Sequence, residues 1–215
     1  MRYLSFAENE YYHVFNRGSK KEKIFLDDKD KARFIFLVTH FQSPIRSYNV
    51  TWYTENFIKK GYFNTKEERI RELLKDRSVE LVSFALMPNH FHLLVRNLEE
   101  GVLSVYMHRV LTAYSKYFNS KYNKKGHVFE APFKAVHVKN NTQLLHLSAY
   151  IHKNPKEISE FKNSYNKYPY SSYQDYIETN RWSNLLSTSI ILKQFKDKSK
   201  YKDFVTSSMA KEGSI

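Results

Sequence analysis

The chain has 215 residues, with 35 Lys and Arg against 22 Asp and Glu, a formal charge of +13. It has no cysteine and only five glycines, which excludes disulfide scaffolds, cysteine-ligated metal sites, thiol nucleophiles and a glycine-rich phosphate loop. The charge, with 17 Tyr, 16 Phe and 2 Trp, points to a polyanion whose bases can stack on aromatic faces, a nucleic acid.

In chain order, Tyr11 to Phe15 (YYHVF) reads as a strand, ended by a turn at Asn16-Arg17-Gly18. A basic loop with Lys20, Lys21 and Lys23 follows. A helix is predicted from Asp28 to about Phe41, capped by Asp27 or Asp28, with Ala32, Ile35 and Phe36 on one face. The apolar run Phe34 to Val38 leaves a buried strand as the rival reading. Residues 43–63 give no clear assignment. Asn64 to Glu67 opens a charged helix to about Lys75, with Ile70, Leu73 and Leu74 on its apolar face. Residues 80–86 and 90–96 read as antiparallel strands either side of Met87-Pro88-Asn89. Leu103, Met107, Val110, Leu111, Tyr114 and Phe118 mark a long amphipathic helix over 101–122. A strand over 127–138, broken at Pro132, comes next. A helix capped by Asn140, Asn141 or Thr142 then runs to about Asn154, where Pro155 stops it. The tail is rich in Tyr, Ser and Lys, with helices predicted near 187–196 and 199–208.

This order is the split βαβ layout. The expected class is α+β, a ferredoxin-like or RRM-like four-stranded antiparallel sheet with helices on one face. The expected organisation is a main domain over 1–160, an insert at about 43–79, and a partly helical C-terminal extension over 161–215. No apolar run reaches the ~18 residues of a membrane span. The opening residues lack the apolar centre of a signal peptide, so a cytoplasmic location is expected.

Two clusters can carry chemistry. In His90-Phe91-His92, strand alternation puts both imidazoles on one face, ~6–7 Å apart, and turns Phe91 into the core. Such a pair can converge on one divalent ion. With nine histidines in the chain, spacing-two pairs arise by chance roughly 0.4 times, so an exposed pair without a ligand stands as the alternative. There is no HExxH, so a zincin-type hydrolase is unsupported. In the helix before Pro155, His146, Tyr150 and Asn154 recur every four residues on one face. The Tyr150 phenol is a candidate nucleophile that needs activation, since its free pKa is ~10. Asn154 can lend an amide oxygen to the same ion, and two imidazoles with one oxygen suit Mg²⁺ or Mn²⁺. A packing role for Tyr150, a helix-end role for Asn154, and Tyr114, Tyr117 and Tyr122 as rival nucleophiles stay open. His13 and the other histidines give no spacing signal of their own.

The stretches Tyr12 to Gly18 (YHVFNRG), Phe25 to Asp28, Met87 to Leu94 (MPNHFHLL), Tyr114 to Asn119, Gly126 to Phe129, Tyr150 to Pro155 (YIHKNP) and Tyr168 to Tyr173 occur in this order over roughly residues 10–175. In these motifs the chain resembles the HUH-type single-tyrosine transposases of small bacterial insertion sequences, especially the REP-associated tyrosine transposase branch. The resemblance implies a ferredoxin-like sheet with His90 and His92 as ligands of a divalent metal, Asn154 as the third ligand, and Tyr150 as the nucleophile. It implies attack on a phosphodiester of single-stranded, hairpin-forming DNA, a 5′-phosphotyrosine link and a freed 3′-OH, with no nucleotide cofactor. Arg17, Lys20, Lys21, Lys134, Lys139 and Lys153 are expected to position phosphates. A monomer or homodimer is expected. The family often has Arg where this chain has Pro132, and the 43–79 segment is longer than usual and reads as surface padding, with a part in DNA specificity as the alternative. Two rivals are a non-catalytic single-strand-binding relic of a transposase and an RNA-processing metal nuclease that uses water.

Overall fold

The computed structural model describes residues 6–130 and 132–209. Four strands form one antiparallel sheet: β1 (Tyr11–Arg17), β2 (Val79–Met87), β3 (His90–Asn97) and β4 (Lys134–His137), in the order β2-β3-β1-β4. That is the ferredoxin-like order expected from the sequence. The helices are α1 (Asp28–His40), α2 (Val50–Lys60), α3 (Glu67–Lys75), α4 (Val102–Tyr122), α5 (Asn141–Lys153), α6 (Tyr173–Ile177), α7 (Ser189–Leu192) and α8 (Lys198–Ser207).

The helix reading of 28–41 holds over the strand reading. Asp27 caps α1 by accepting from Asp30 N at 3.0 Å, and the Asp30 carboxylate accepts from Leu26 N and Asp27 N in return. Asp30 is fully buried and also takes Lys121 Nζ at 2.7 Å and the hydroxyls of Tyr117 and Tyr122, which ties α1 to α4. Phe34 of α1 packs on Phe91 of β3 and on Tyr114 of α4, so these two helices cover one face of the sheet.

The other face, open in the sequence reading, is partly covered. Helix α5 packs across β2 and β3 on that side, where its Tyr150 meets His92. The C-terminal segment seals the outer edge of β2. Leu86 N donates to Tyr170 O, Ser172 N to Phe84 O and Ser187 N to Leu81 O. The Tyr168 and Tyr176 hydroxyls donate to the Leu86 and Val82 carbonyls. An edge strand that would otherwise offer unpaired backbone groups is thereby closed.

Several boundaries differ from the sequence reading. Strand β1 runs on through Asn16 and Arg17, because both pair with β3, opposite Phe91 and His90. The turn follows at Gly18, where a Cβ would lie 2.1 Å from Glu22 O, so only glycine fits. The expected strand over 127–138 shrinks to the four residues of β4, plus an isolated bridge between Gly18 and Phe129. Pro132, which lacks an N–H, stands between these two pieces. Helix α3 starts at Glu67 rather than Asn64. The Thr65 hydroxyl faces His40 Nε2 at 3.2 Å instead of capping the helix. The late helix predicted near 187–196 is the single turn α7, while α8 matches its predicted span closely.

Candidate active site

Register brings the site together. Phe15 lies opposite His92 and Arg17 opposite His90, and on the other side Ala85 and Met87 face the same two histidines. Directly paired residues share a face of the sheet. His13, Phe15 and Arg17 of β1 therefore stand on the His90–His92 face, with Lys134 of β4 opposite Phe15. The odd-numbered Phe91 points the other way into the core, as alternation requires.

The two imidazoles meet edge to face, their ring centroids 5.0 Å apart. Each has its Nδ1 engaged. His90 Nδ1 lies 2.8 Å from Asn89 Oδ1, and Asn89 Nδ2 donates to Lys21 O, so the Asn89 oxygen is the acceptor. His92 Nδ1 lies 2.9 Å from His13 Nε2. Neither Nε2 has a hydrogen bond among the described residues. Burial, with some help from the Arg17 charge, pushes His90 down to about 4. Burial, and then the neighbouring His13 and His90, hold His92 well below the ordinary histidine range. Burial alone lowers His13 to about 4. At neutral pH these rings are uncharged, the form that ligates metal.

A cavity of about 390 Å³ opens in front of His90 and His92. Arg17, Lys21 and Lys134 reach it, as do the carboxylates of Glu130 and Glu157. Arg17 Nε is paired to Glu130 at 2.8 Å. The loop carrying Lys20 and Lys21 is tight. Both lysines have positive φ, 55° and 62°, which is unusual for residues with a side chain. Such backbone persists only where the surroundings hold it, here the contacts at Gly18 and Asn89.

Helix α5 places the tyrosine. Asn140 caps its start by accepting from Gln143 N, and Leu144, Leu147 and Ile151 bury its stripe. Tyr150, one residue before Ile151, is half-buried, and its ring stands edge-on to His92 at 5.5 Å and to His13 at 6.0 Å. His92, His13 and Tyr150 are thus in mutual contact. Asn154 is buried at the helix end, where its Nδ2 donates to Tyr150 O at 2.9 Å. Among the described residues its Oδ1 accepts no hydrogen bond. The residue from this end of the helix that reaches the cavity is Glu157, one short turn further on.

The other tyrosines considered are engaged elsewhere. Tyr114 is fully buried and its hydroxyl donates to Ile24 O, and Tyr117 and Tyr122 donate to Asp30. His146 faces Phe204 of α8 rather than the histidine pair. Of the basic residues, Lys20 lines a neighbouring pocket of about 200 Å³ with Lys23, Lys124 and Lys125. Lys153 instead donates to the Thr206 and Ser208 carbonyls at the end of α8. Lys139 lines neither pocket. Two residues beside the histidine pair carried no spacing signal in the sequence: His13, a single histidine in a strand, and Glu157, in a 3₁₀ turn beyond the helix-stopping proline.

Among the described residues no group of three or more His, Cys, Asp or Glu side chains is placed to hold a metal ion. The His90 and His92 imidazoles are nitrogen donors at the cavity that the Glu157 carboxylate also lines, ligand types that divalent cations accept.

Residues 41–154 match a family model described as "Transposase IS200 like". The chain belongs to the IS200-like transposase family. His90, His92, Tyr150 and Asn154 all fall inside the matched segment. A solved structure of a REP-associated tyrosine transposase bound to a REP hairpin superposes with a TM-score of 0.54. The superposition covers 84% of this chain and 86% of that one at 13% identity, a likeness of fold. A search of curated protein sequences gives no match. Among the described residues, no helix of this family member is long and apolar enough to cross a membrane.

Proposed function

We propose that the chain cleaves single-stranded DNA and transfers the strand through a covalent 5′-phosphotyrosine at Tyr150. The observation that carries this reading is the contact of Tyr150 with His92, whose partner His90 opens with it onto a cavity lined by Arg17, Lys21 and Lys134. Membership of a transposase family supports it. The fold neighbour bound to a REP hairpin supports a hairpin-forming DNA as the partner.

His90 and His92 would hold a Mg²⁺ or Mn²⁺ ion, with Asn154 or Glu157, at and just beyond the end of α5, supplying an oxygen ligand. The ion, when bound, polarises a non-bridging phosphate oxygen and offsets charge that develops in the transition state. Arg17, Lys21 and Lys134 hold the flanking phosphates. The Tyr150 oxygen attacks phosphorus, forming the O–P bond as the bond to the 3′ oxygen breaks. The phenolic proton is given up, and the departing 3′ oxygen gains one and leaves as a 3′-OH. One phosphodiester replaces another, so no nucleotide hydrolysis drives the step. A second strand's 3′-OH then displaces the tyrosine by the same chemistry in reverse.

The test is a denaturing gel of labelled single-stranded DNA from beside the gene, incubated with protein and Mg²⁺ or Mn²⁺. The expected result is a protein–DNA band that chelator abolishes and Tyr150→Phe abolishes. Cleavage that survives Tyr150→Phe would instead assign the nucleophile to water, with Glu157 as the carboxylate placed to activate it. Binding without cleavage would leave a single-strand-binding relic.

A further inference from the structure

We propose that His13 is a positioning residue: it accepts the Nδ1–H of His92 and thereby fixes the tautomer and ring setting that leave His92 Nε2 for the cation. This rests on the cation reading above.

The geometry is a buried hydrogen bond between strands. His13 Nε2 and His92 Nδ1 are 2.9 Å apart, and the residues are 8% and 3% exposed. Such a bond needs one proton and one lone pair. If His13 gave the proton, the His92 lone pair at Nδ1 would be spent and its Nε2 would carry hydrogen, leaving no nitrogen to bind a metal. Only the opposite direction makes His92 a ligand. A metal-bound histidine that donates its other N–H to a fixed acceptor is held in orientation and made more basic.

His90 has the same arrangement with a different partner. Asn89 Oδ1 accepts its Nδ1–H, because Asn89 Nδ2 is already committed to Lys21 O. The two ligands therefore have two orienting acceptors, one adjacent in sequence and one 79 positions away. His13 is not itself a ligand in this arrangement. Its Nε2 is turned to His92, and it does not line the cavity that His90 and His92 line. Phe15 packs on both His13 and His92, at 4.8 and 5.8 Å, an apolar contact that gives neither ring a competing partner. His13 also touches Tyr150 edge-on, so the same ring that orients the ligand borders the nucleophile. The family match begins at residue 41 and does not include His13.

The first measurement needs no variant. Nitrogen-15 histidine NMR of the metal-free, full-length protein should show His92 with a protonated Nδ1 and a bare Nε2; the reverse tautomer overturns the proposal. The second is Mn²⁺ affinity without DNA, read by electron paramagnetic resonance. His13→Leu removes the acceptor and should weaken Mn²⁺ binding about 10- to 100-fold, while His13→Gln keeps an acceptor oxygen and should stay within about threefold of wild type. Unchanged affinity in His13→Leu, or equal losses in both variants, overturns the proposal. If His13→Leu fails to fold, as near-ultraviolet circular dichroism would show, the wild-type tautomer decides. Wild-type protein that binds no Mn²⁺ overturns the cation reading itself, whereas a reversed tautomer in protein that still binds Mn²⁺ overturns only the role of His13.

Discussion

Acid should unfold this protein early, through histidines far from any substrate. His40 and His152 are fully buried, and burial pushes both down to about 3, against 6.5 for a free histidine. His152 is wedged between the Tyr201 hydroxyl and Ser172 Oγ, at 2.7 and 2.8 Å. His40 stacks on Phe36 at 4.0 Å and meets Thr65. Because the folded values lie below the unfolded one, the unfolded chain binds protons that the folded chain refuses. The stability these neutral rings provide is complete above about pH 6.5 and is lost progressively as pH falls toward 3. Between pH 7 and pH 5 the loss is about 2 kcal/mol for each ring. His13 and His90 add to it in the same direction. Two rings alone cost about 4 kcal/mol, a large share of a typical 5–15 kcal/mol. Urea melts followed by far-ultraviolet circular dichroism at the two pH values should show the midpoint falling by about 1.5–2 M at constant slope. A fall of less than about 1 kcal/mol would refute the reasoning, since it would mean that these rings take protons without unfolding.

The Asp30 carboxylate is the buried acceptor for Lys121, Tyr117 and Tyr122 as well as for the α1 cap. Asp30→Ala should therefore cost about 3–5 kcal/mol, seen as a drop in melting temperature without change in the metal-free fold of surviving protein. In DNA binding, Lys21→Gln with Lys134→Gln should lower the slope of log K against log salt by about 1.4, the value for two lost single-strand phosphate contacts. A slope equal to wild type would place those two lysines off the DNA path.

The architecture was largely readable because its elements are local. The strand pair around Met87-Pro88-Asn89 has period-two patterning with a clear break. Helix α5 has a capping Asn140, a 3–4 apolar stripe and a terminating Pro155. What escaped depends on partners distant in the chain. Helix α2 is preceded by Asn49 in a left-handed conformation with no side-chain cap, so no start signal marked it. The insert that contains it is more than padding in one respect: Phe57 stacks on Trp182 at 5.4 Å. The cover over the β2 edge is made by tyrosine hydroxyls and backbone groups of residues 168–187, which have no periodicity to read. At the site, His90, His92 and Tyr150 were marked as candidates by spacing together with the family resemblance, with an exposed histidine pair and a packing tyrosine as alternatives, and His92 contacts both His90 and Tyr150. His13 was not, because its significance lies in the β1–β3 register that sets it beside His92. Glu157 was not, because it stands after the proline that ends the periodic helix. Asn154 sits at the helix end bonded to the Tyr150 carbonyl, and the His90–His92 cavity is lined by Glu157 instead.

The central claim is that one phenol, Tyr150, becomes joined to DNA. Mass spectrometry of the protein after reaction with single-stranded substrate and Mn²⁺, followed by nuclease and trypsin digestion, tests it directly. The expected result is a nucleotide adduct on the peptide that contains Tyr150, with the phosphate on the phenolic oxygen and a free 3′-OH on the other DNA product. An adduct on Tyr114, Tyr117 or Tyr122, or cleaved DNA with no adduct on any peptide, would contradict it.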